Sequence, residues 1–305
     1  MVIENRYYPD KMPHPGLTLL EKLTEFGMGP REFAVRTTKP EKTIIAILKG
    51  KSSITSDMSI QFETVTKIPA SYWMNHQQAY DEYVARIKHQ QIIRAASNWA
   101  KKFPADEMIE LGWIKSLSIK EDKTTALLSF FGFSSPIGWE NYYINQQLKL
   151  AFSISLSQAK NPYALSAWLR QGELQATEID ANQFFLANLK SMLPKMKSLM
   201  DSNTEDYFTQ LQIMCQHTGI KLIHTPNLRK APIHGATRWI LNNPFIQLSE
   251  ITDKNGIFWF TFFHEIGHIV LHGKKEVFLE DIGQNYKDII KEKEADAFAL
   301  SMIKR

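Results

Sequence analysis

At 305 residues the chain is long enough for two or three compact units, each burying a core of its own. Hydrophobic residues make up 44% of it and charged residues 22%, which excludes a disordered chain and fits globular protein. The net charge of +4 permits a nucleic-acid partner but does not require one.

The segment Met1 to Lys11 is polar and mixed in charge, without the apolar stretch of a signal peptide. Further on, the run Gly256 to Phe263 comes closest to a membrane span, and it is short and leads into a charged motif. A cytoplasmic protein with no membrane partner is expected.

Leu17, Leu20, Leu23 and Phe26 recur at helical spacing until Gly27 and Gly29 break the pattern. A short helix after Pro30 would bury Phe33 and Ala34, and Thr38-Lys39-Pro40 marks a turn with Pro40 in the first turn of a third helix. Ile44, Ile45, Ile47 and Leu48 give that helix its apolar face, and Gly50 ends it. Thr55 and Asp57 can cap a fourth helix, and Pro69 opens a fifth that runs through Trp73 into Tyr80.

In a helix-turn-helix the second helix lies in the major groove, its N-terminal polar residues at base edges. Here those positions are Lys39, Glu41, Lys42 and Thr43, with Lys49 and Lys51 placed to meet phosphates. Glu21, Glu25, Glu32 and Glu41 dilute the basic charge, so a helical domain with a solvated charged face is the competing reading. His14-Pro15-Gly16, Ala34, Ile47-Leu48-Lys49-Gly50-Lys51, Ile54-Thr55, Tyr72-Trp73-Met74-Asn75 and Ala79-Tyr80-Asp81 resemble the HigA-type antitoxin branch of the XRE helix-turn-helix family. The resemblance implies DNA binding and allows a homodimer through this domain.

Residues 84–200 read as helical and chemically quiet. Tyr83, Ile87, Ile92 and Ala95 to Trp99 suggest a long helix leaving the first domain and ending before Pro104. Leu127 to Gly132 and Ala167 to Arg170 read as buried helical turns. Beyond residue 201, Tyr207 to Cys215 is helical and Lys221 to His224 strand-like. Ala236 to Ile240 can pair with Phe245 to Leu248 across a turn at Asn242-Asn243-Pro244. A helix from about Ile257 to His272 follows, stopped by Gly273.

That last helix carries His264-Glu265-Ile266-Gly267-His268. Two histidines four apart lie on one helix face and can share one tetrahedral ion, with Glu265 on an adjacent edge. The helix is apolar nearly all round, so the three polar side chains need partners inside the domain. Catalytic zinc usually takes a third protein ligand. Cys215, the only cysteine, lies in another helix, so no disulfide forms within the chain and the third ligand is His, Asp or Glu. Glu292 and Asp296 are one turn apart on a downstream helix, so that one can bind metal while the other orients a histidine. Glu294 lies between them as the alternative register.

Gly235-Ala236-Thr237-x-Trp239, Ile246-x-Leu248-Ser249, Phe258-Trp259-Phe260-Thr261-x-x-His264-Glu265-x-Gly267-His268, Leu271-His272 and Glu292-x-Glu294-Ala295-Asp296-x-Phe298-Ala299 resemble the ImmA/IrrE metallopeptidases. That resemblance implies Zn2+ held by His264, His268 and Glu292, Glu265 as general base, and Asp296 behind a ligand histidine. It also implies a cleft edge along Phe245 to Ser249 that pairs with an extended substrate. The substrate class it implies is a protein such as a repressor or antitoxin. An oxyanion donor is expected as well, and His272, His224 and Tyr286 are candidates by residue type. Family members usually continue past the glutamate helix with apolar, Pro-containing sequence, so one cleft wall is expected to be short here.

The expected fold is α+β and mostly helical. A helix-turn-helix domain over 1–83 and a helical linking region over 84–200 precede a zincin-like metallopeptidase domain over 201–305, with a small β-sheet. The expected function is a DNA-binding regulator with a zinc metalloendopeptidase domain. The competing function is an antitoxin-like autorepressor whose metal domain senses or holds a partner without catalysis.

Overall fold

Contacts divide the chain after Arg94 into two units, Met1–Arg94 and Ala95–Arg305. The structure is a computed structural model that describes residues 11–115, 122–144, 161–202, 204–231, 233–252, 256–273, 278–281 and 289–304.

In the first unit five helices follow one another: α1 (Pro15–Glu25), α2 (Pro30–Arg36), α3 (Glu41–Leu48), α4 (Ser56–Thr66) and α5 (Ala70–Ala95). Their core is Leu19, Leu23, Phe33, Ala34, Ile44, Ile47, Ile54, Phe62 and Trp73. Truncating a buried aromatic such as Phe33, Phe62 or Trp73 to alanine costs roughly 3–5 kcal/mol. His14 caps α1, its Nδ1 accepting the Gly16 N–H at 2.9 Å. Gly16 has no alternative, because a Cβ there would lie 1.9 Å from the Ile47 carbonyl oxygen.

Two sequence expectations shift in this unit. Pro40 is the N-cap of α3 rather than a residue of its first turn. The fifth helix and the expected exit helix are one continuous element, broken at Ala96 before the short α6 (Ser97–Ala100).

The second unit continues with α7 (Ala105–Glu110), α8 (Lys123–Phe131), α9 (Pro136–Trp139), a π-helical turn over Glu140–Ile144, α10 (Pro162–Thr177), α11 (Leu186–Ser202) and α12 (Tyr207–Thr218). Strands β1 (Lys221–His224), β2 (Ile233–Ile240) and β3 (Asn243–Leu248) follow, then α13 (Ile257–Leu271), β4 (Phe278–Asp281) and α14 (Ile289–Ile303). The four-stranded sheet has the order β1-β3-β2-β4, with β1 parallel to β3 and both other pairings antiparallel. Ile240 pairs with Asn243 and Trp239 with Pro244. The hairpin tip is therefore Leu241-Asn242, one residue before the expected turn, and Leu241 has a φ of 55°.

Alternation along the strands sends Leu222, Ile246 and Leu248 to one face, where they pack with Phe258, Phe262 and Ile266 of α13. The opposite face carries Ile223 and Phe245 against Ala176 of α10. There Gln247 Nε2 donates to the Trp168 carbonyl at 2.7 Å, and Arg238 Nη2 donates to the Leu169 carbonyl at 2.6 Å. Leu189, Met196 and Leu199 of α11 join the α13 side. The stretch expected to link two domains over 84–200 thus contributes α10 and α11 to the packing of the sheet. Its polar ties contribute: the buried Gln247 and Arg238 bond each other at 2.9 Å and reach the backbone of α10.

Candidate metal centre

Helix α13 is almost wholly buried, and so are His264, Glu265 and His268, at 2%, 0% and 1% exposure. It is crossed by α14 at Gly267, where a Cβ would stand 3.2 Å from the Ala295 Cα. That close approach carries Glu292 of α14 to the histidine pair. His264 Nε2 lies 2.9 Å from His268 Nε2, and Glu292 Oε2 lies 3.2 Å from the first and 3.5 Å from the second. Among the described residues these three offer ligand atoms within 4.8 Å of one another. Glu294 is not part of the triangle.

The other ring nitrogens are engaged too. His264 Nδ1 is 2.9 Å from Asp296 Oδ1, His268 Nδ1 is 3.1 Å from His272 Nδ1, and His272 Nε2 is 2.9 Å from Glu294 Oε2. Proton counting then tests whether a cation fits. Each of the four contacts from Asp296 through His264, His268 and His272 to Glu294 needs a hydrogen between its atoms, and three neutral imidazoles carry only three. One contact would leave lone pairs facing at hydrogen-bond distance unless a positive charge is added. Burial opposes adding it as a proton on His268, lowering that ring to about 4 despite the attraction of Glu292. Burial would push the Glu292 carboxyl up, but its contacts with the His264 and His268 rings outweigh that and hold it at about 2. A cation among the two Nε2 atoms and Glu292 removes the conflict and lets both Nδ1–H groups donate outward. The residues fit a divalent metal.

Glu265 lies beside this triangle against β2. A Cβ on Gly235 would come within 2.7 Å of Glu265 Oε1, and the Thr237 hydroxyl donates to the Glu265 carbonyl at 3.3 Å. The glycine leaves the space that the carboxylate occupies. A metal site with an open coordination position and an adjacent carboxylate can activate water and take its proton.

The expected cleft edge and the expected oxyanion donors fare differently. Strand β3, expected as the cleft edge over Phe245 to Ser249, is interior, with β1 on one side and β2 on the other. Its backbone groups are committed to the sheet, so it has no edge to offer. Among the oxyanion candidates, His272 bonds His268 and Glu294. The His224 Nε2 meets the Ser249 carbonyl at 3.1 Å, and Tyr286 lies outside the described residues. Sequence reasoning missed the His272–Glu294 pair, although His272 follows His268 by four residues, as His268 follows His264.

In the first unit Glu41, Lys42, Lys49 and Lys51 are exposed and Thr43 is half-buried on or just beyond α3. Lys39 is paired with Asp57. The structure thus gathers the expected DNA contacts along one short helix and its flanks.

Taken together, the HExxH helix, the glutamate helix and the small sheet define a metallopeptidase-type domain. Residues 215–303 match the family model of the IrrE N-terminal-like domain, a peptidase family. Solved structures similar to the N-terminal region include a HigA-family addiction module antidote protein from Coxiella burnetii, 30% identical. That match covers 28% of this chain and 94% of the other, with a TM-score of 0.26. The Pseudomonas aeruginosa antitoxin HigA, solved with the higBA promoter, is 28% identical over 27% of this chain and 89% of its own, with a TM-score of 0.26. A further Pseudomonas aeruginosa protein, solved with its 28-base-pair operator DNA, is 27% identical over 27% of this chain and 90% of that one, also at 0.26. No curated protein matches the chain. No helix among the described residues is long and apolar enough to cross a membrane.

Proposed function

We propose that the chain is a DNA-binding regulator whose second unit is a zinc-dependent endopeptidase acting on a partner protein such as a repressor or antitoxin. The observation that carries this reading is the convergence of His264 Nε2, His268 Nε2 and Glu292 Oε2 beside the buried carboxylate of Glu265. Zinc held by these residues would supply a water activated near neutral pH and a Lewis acid for the scissile carbonyl. Glu265 takes the proton from the attacking water at a carboxylate oxygen and delivers it to the leaving amine nitrogen. Asp296 keeps the His264 ring turned so that its Nε2 faces the triangle.

The substrate would lie extended along β4, the outer strand beside β2 and Gly235. The other outer strand, β1, is closed to such pairing. Gln212 Nε2 donates to its Leu222 carbonyl at 3.0 Å and Gln175 Nε2 to its His224 carbonyl at 3.0 Å. In the first unit α3 would enter the major groove, with Lys39, Lys42 and Thr43 at base edges and Lys49 and Lys51 at phosphates. The support is the exposure of Lys42, Lys49 and Lys51 on α3 and its C-terminal flank and the resemblance of residues 14–81 to HigA-type antitoxins.

The test is to load the purified chain with zinc and incubate it with the protein products of neighbouring genes. Cleavage that is absent in Glu265→Gln supports the reading. Promoter binding together with zinc binding, but without cleavage of any of them, favours the non-catalytic sensor.

A further inference from the structure

The metal-facing histidines are supported unequally, and the difference is built into α14. His264 is met directly by the carboxylate of Asp296 at 2.9 Å. Among the described residues, the outer nitrogen of His268 is met by a ring rather than by a carboxylate. It meets the Nδ1 of a third imidazole, His272, at 3.1 Å, and that ring passes on to Glu294 at 2.9 Å. The His272 side chain is only 5% exposed, whereas Glu294 reaches solvent at 55%.

We infer that His272 and Glu294 form one positioning device for His268, equivalent to what Asp296 does directly for His264. The inference rests on the reading that the site holds a metal. The chemistry follows from direction along the chain of contacts. The Glu294 carboxylate only accepts, so the His272 proton sits on Nε2 and its Nδ1 is left as an acceptor. His268 must then donate from Nδ1, which leaves its Nε2 lone pair facing His264 and Glu292. An acid two hydrogen bonds away thus selects the ligand tautomer of a buried ring. Helical geometry allows the arrangement: His272 caps α13 one turn beyond His268. Glu294 is two residues before Asp296 on α14 and reaches that end of α13.

A structural pair would stabilise the fold whether or not metal is present, whereas a positioning pair acts on metal affinity. Zinc affinity is measured by competition with a chromophoric chelator for the full chain and for Glu294→Gln, His272→Ala and the double variant. The visible spectrum of the cobalt-substituted proteins is recorded in parallel. Each single variant is expected to weaken zinc by roughly 10–100-fold and to alter the cobalt spectrum. The double variant is expected to be no weaker than His272→Ala, because Glu294 acts only through His272. The metal-free proteins should melt together.

Because Glu294 is exposed, Glu294→Gln tests the idea even if His272→Ala does not fold. Unchanged zinc affinity in Glu294→Gln would overturn the inference, as would losses that multiply in the double variant. Absence of zinc binding by the unaltered chain would instead overturn the metal-site reading beneath it.

Discussion

Gly235 and Glu265 share one small space, since a methyl group on the first would stand 2.7 Å from Oε1 of the second. The same methyl would lie 2.9 Å from Thr261 Cγ2 and 3.2 Å from Glu265 Cγ. What gives way is the carboxylate, the far end of a flexible side chain, rather than β2 or α13. Gly235→Ala is therefore expected to keep its zinc and its fold while turnover falls by about 100-fold, since a misplaced general base loses most of its contribution. Metal analysis, a thermal melt and a cleavage assay on the same preparation check this. Loss of zinc in step with turnover would mean that the glycine serves the ligands instead.

For the first unit the expectation separates groove contacts from phosphate contacts. Replacing Lys42 or Thr43 should relax sequence preference, whereas Lys49→Ala or Lys51→Ala should weaken all sequences alike and reduce the salt slope by about one each. The pairing of Lys39 with exposed Asp57 adds a further outcome. Asp57→Asn removes a negative charge beside the groove and releases a lysine, so it should tighten binding at low salt. Gel-shift titrations over a salt series measure these effects, and weaker binding by Asp57→Asn would put Lys39 away from the DNA.

How much of this was legible depended on how local each signal is. The histidine pair, Glu265, the end of α13 and the helix bearing Glu292 were readable because helical periodicity and a fixed spacing determine them. The choice of Glu292 over its neighbours followed from the resemblance, and the structure brings that residue to the triangle. Strand order was not readable: Phe245 to Ser249 looked like a cleft edge, but β1 closes its far side, and parallel pairing across a long connection leaves no local trace. The same holds for α10, whose grip on the sheet runs through Gln247 and Arg238, residues that composition marks as surface. His14, Gly16 and Tyr80 support the antitoxin resemblance, yet their contacts are internal to the bundle. The resemblance there reports the frame, and DNA binding must be measured on the lysines.

Acid should destabilise the metal-free second unit. The folded-state value of His268 is lowered to about 4, so between about 6.5 and 4 the unfolded chain takes up a proton that the folded chain refuses. Stability is lost as pH falls through that window and levels off below it, by at most about 3 kcal/mol from this group. Glu292, held at about 2, adds loss in the same direction at lower pH. Cys215 supplies the probe: burial pushes its thiol well above the ordinary range, so labelling requires the unit to open. Labelling of chelator-treated protein should quicken from pH 7 to pH 5 after correction for thiolate fraction, and zinc should slow it at pH 7 by mass action. Slower opening at pH 5 would contradict the sign.

The last expectation concerns Glu265 itself. Glu265→Gln keeps the side chain's shape above Gly235 but takes away its ability to accept a proton. Zinc content and melting temperature should be nearly those of the unaltered chain, because His264, His268 and Glu292 are untouched. Turnover should fall by roughly 10² to 10⁴, the usual worth of a general base. Substrate capture should survive, because pairing along β4 and contact of the carbonyl with the metal do not require the base. The zinc-loaded variant is then a trap, and a pull-down from cells should enrich the protein that the unaltered chain cuts. Chelation should release that protein if the carbonyl contact contributes to its retention. A variant with full zinc that cleaves at the unaltered rate would remove Glu265 from the chemistry. A variant that loses zinc would show that the carboxylate supports the ligand set and that metal binding and proton transfer are not separable at Glu265.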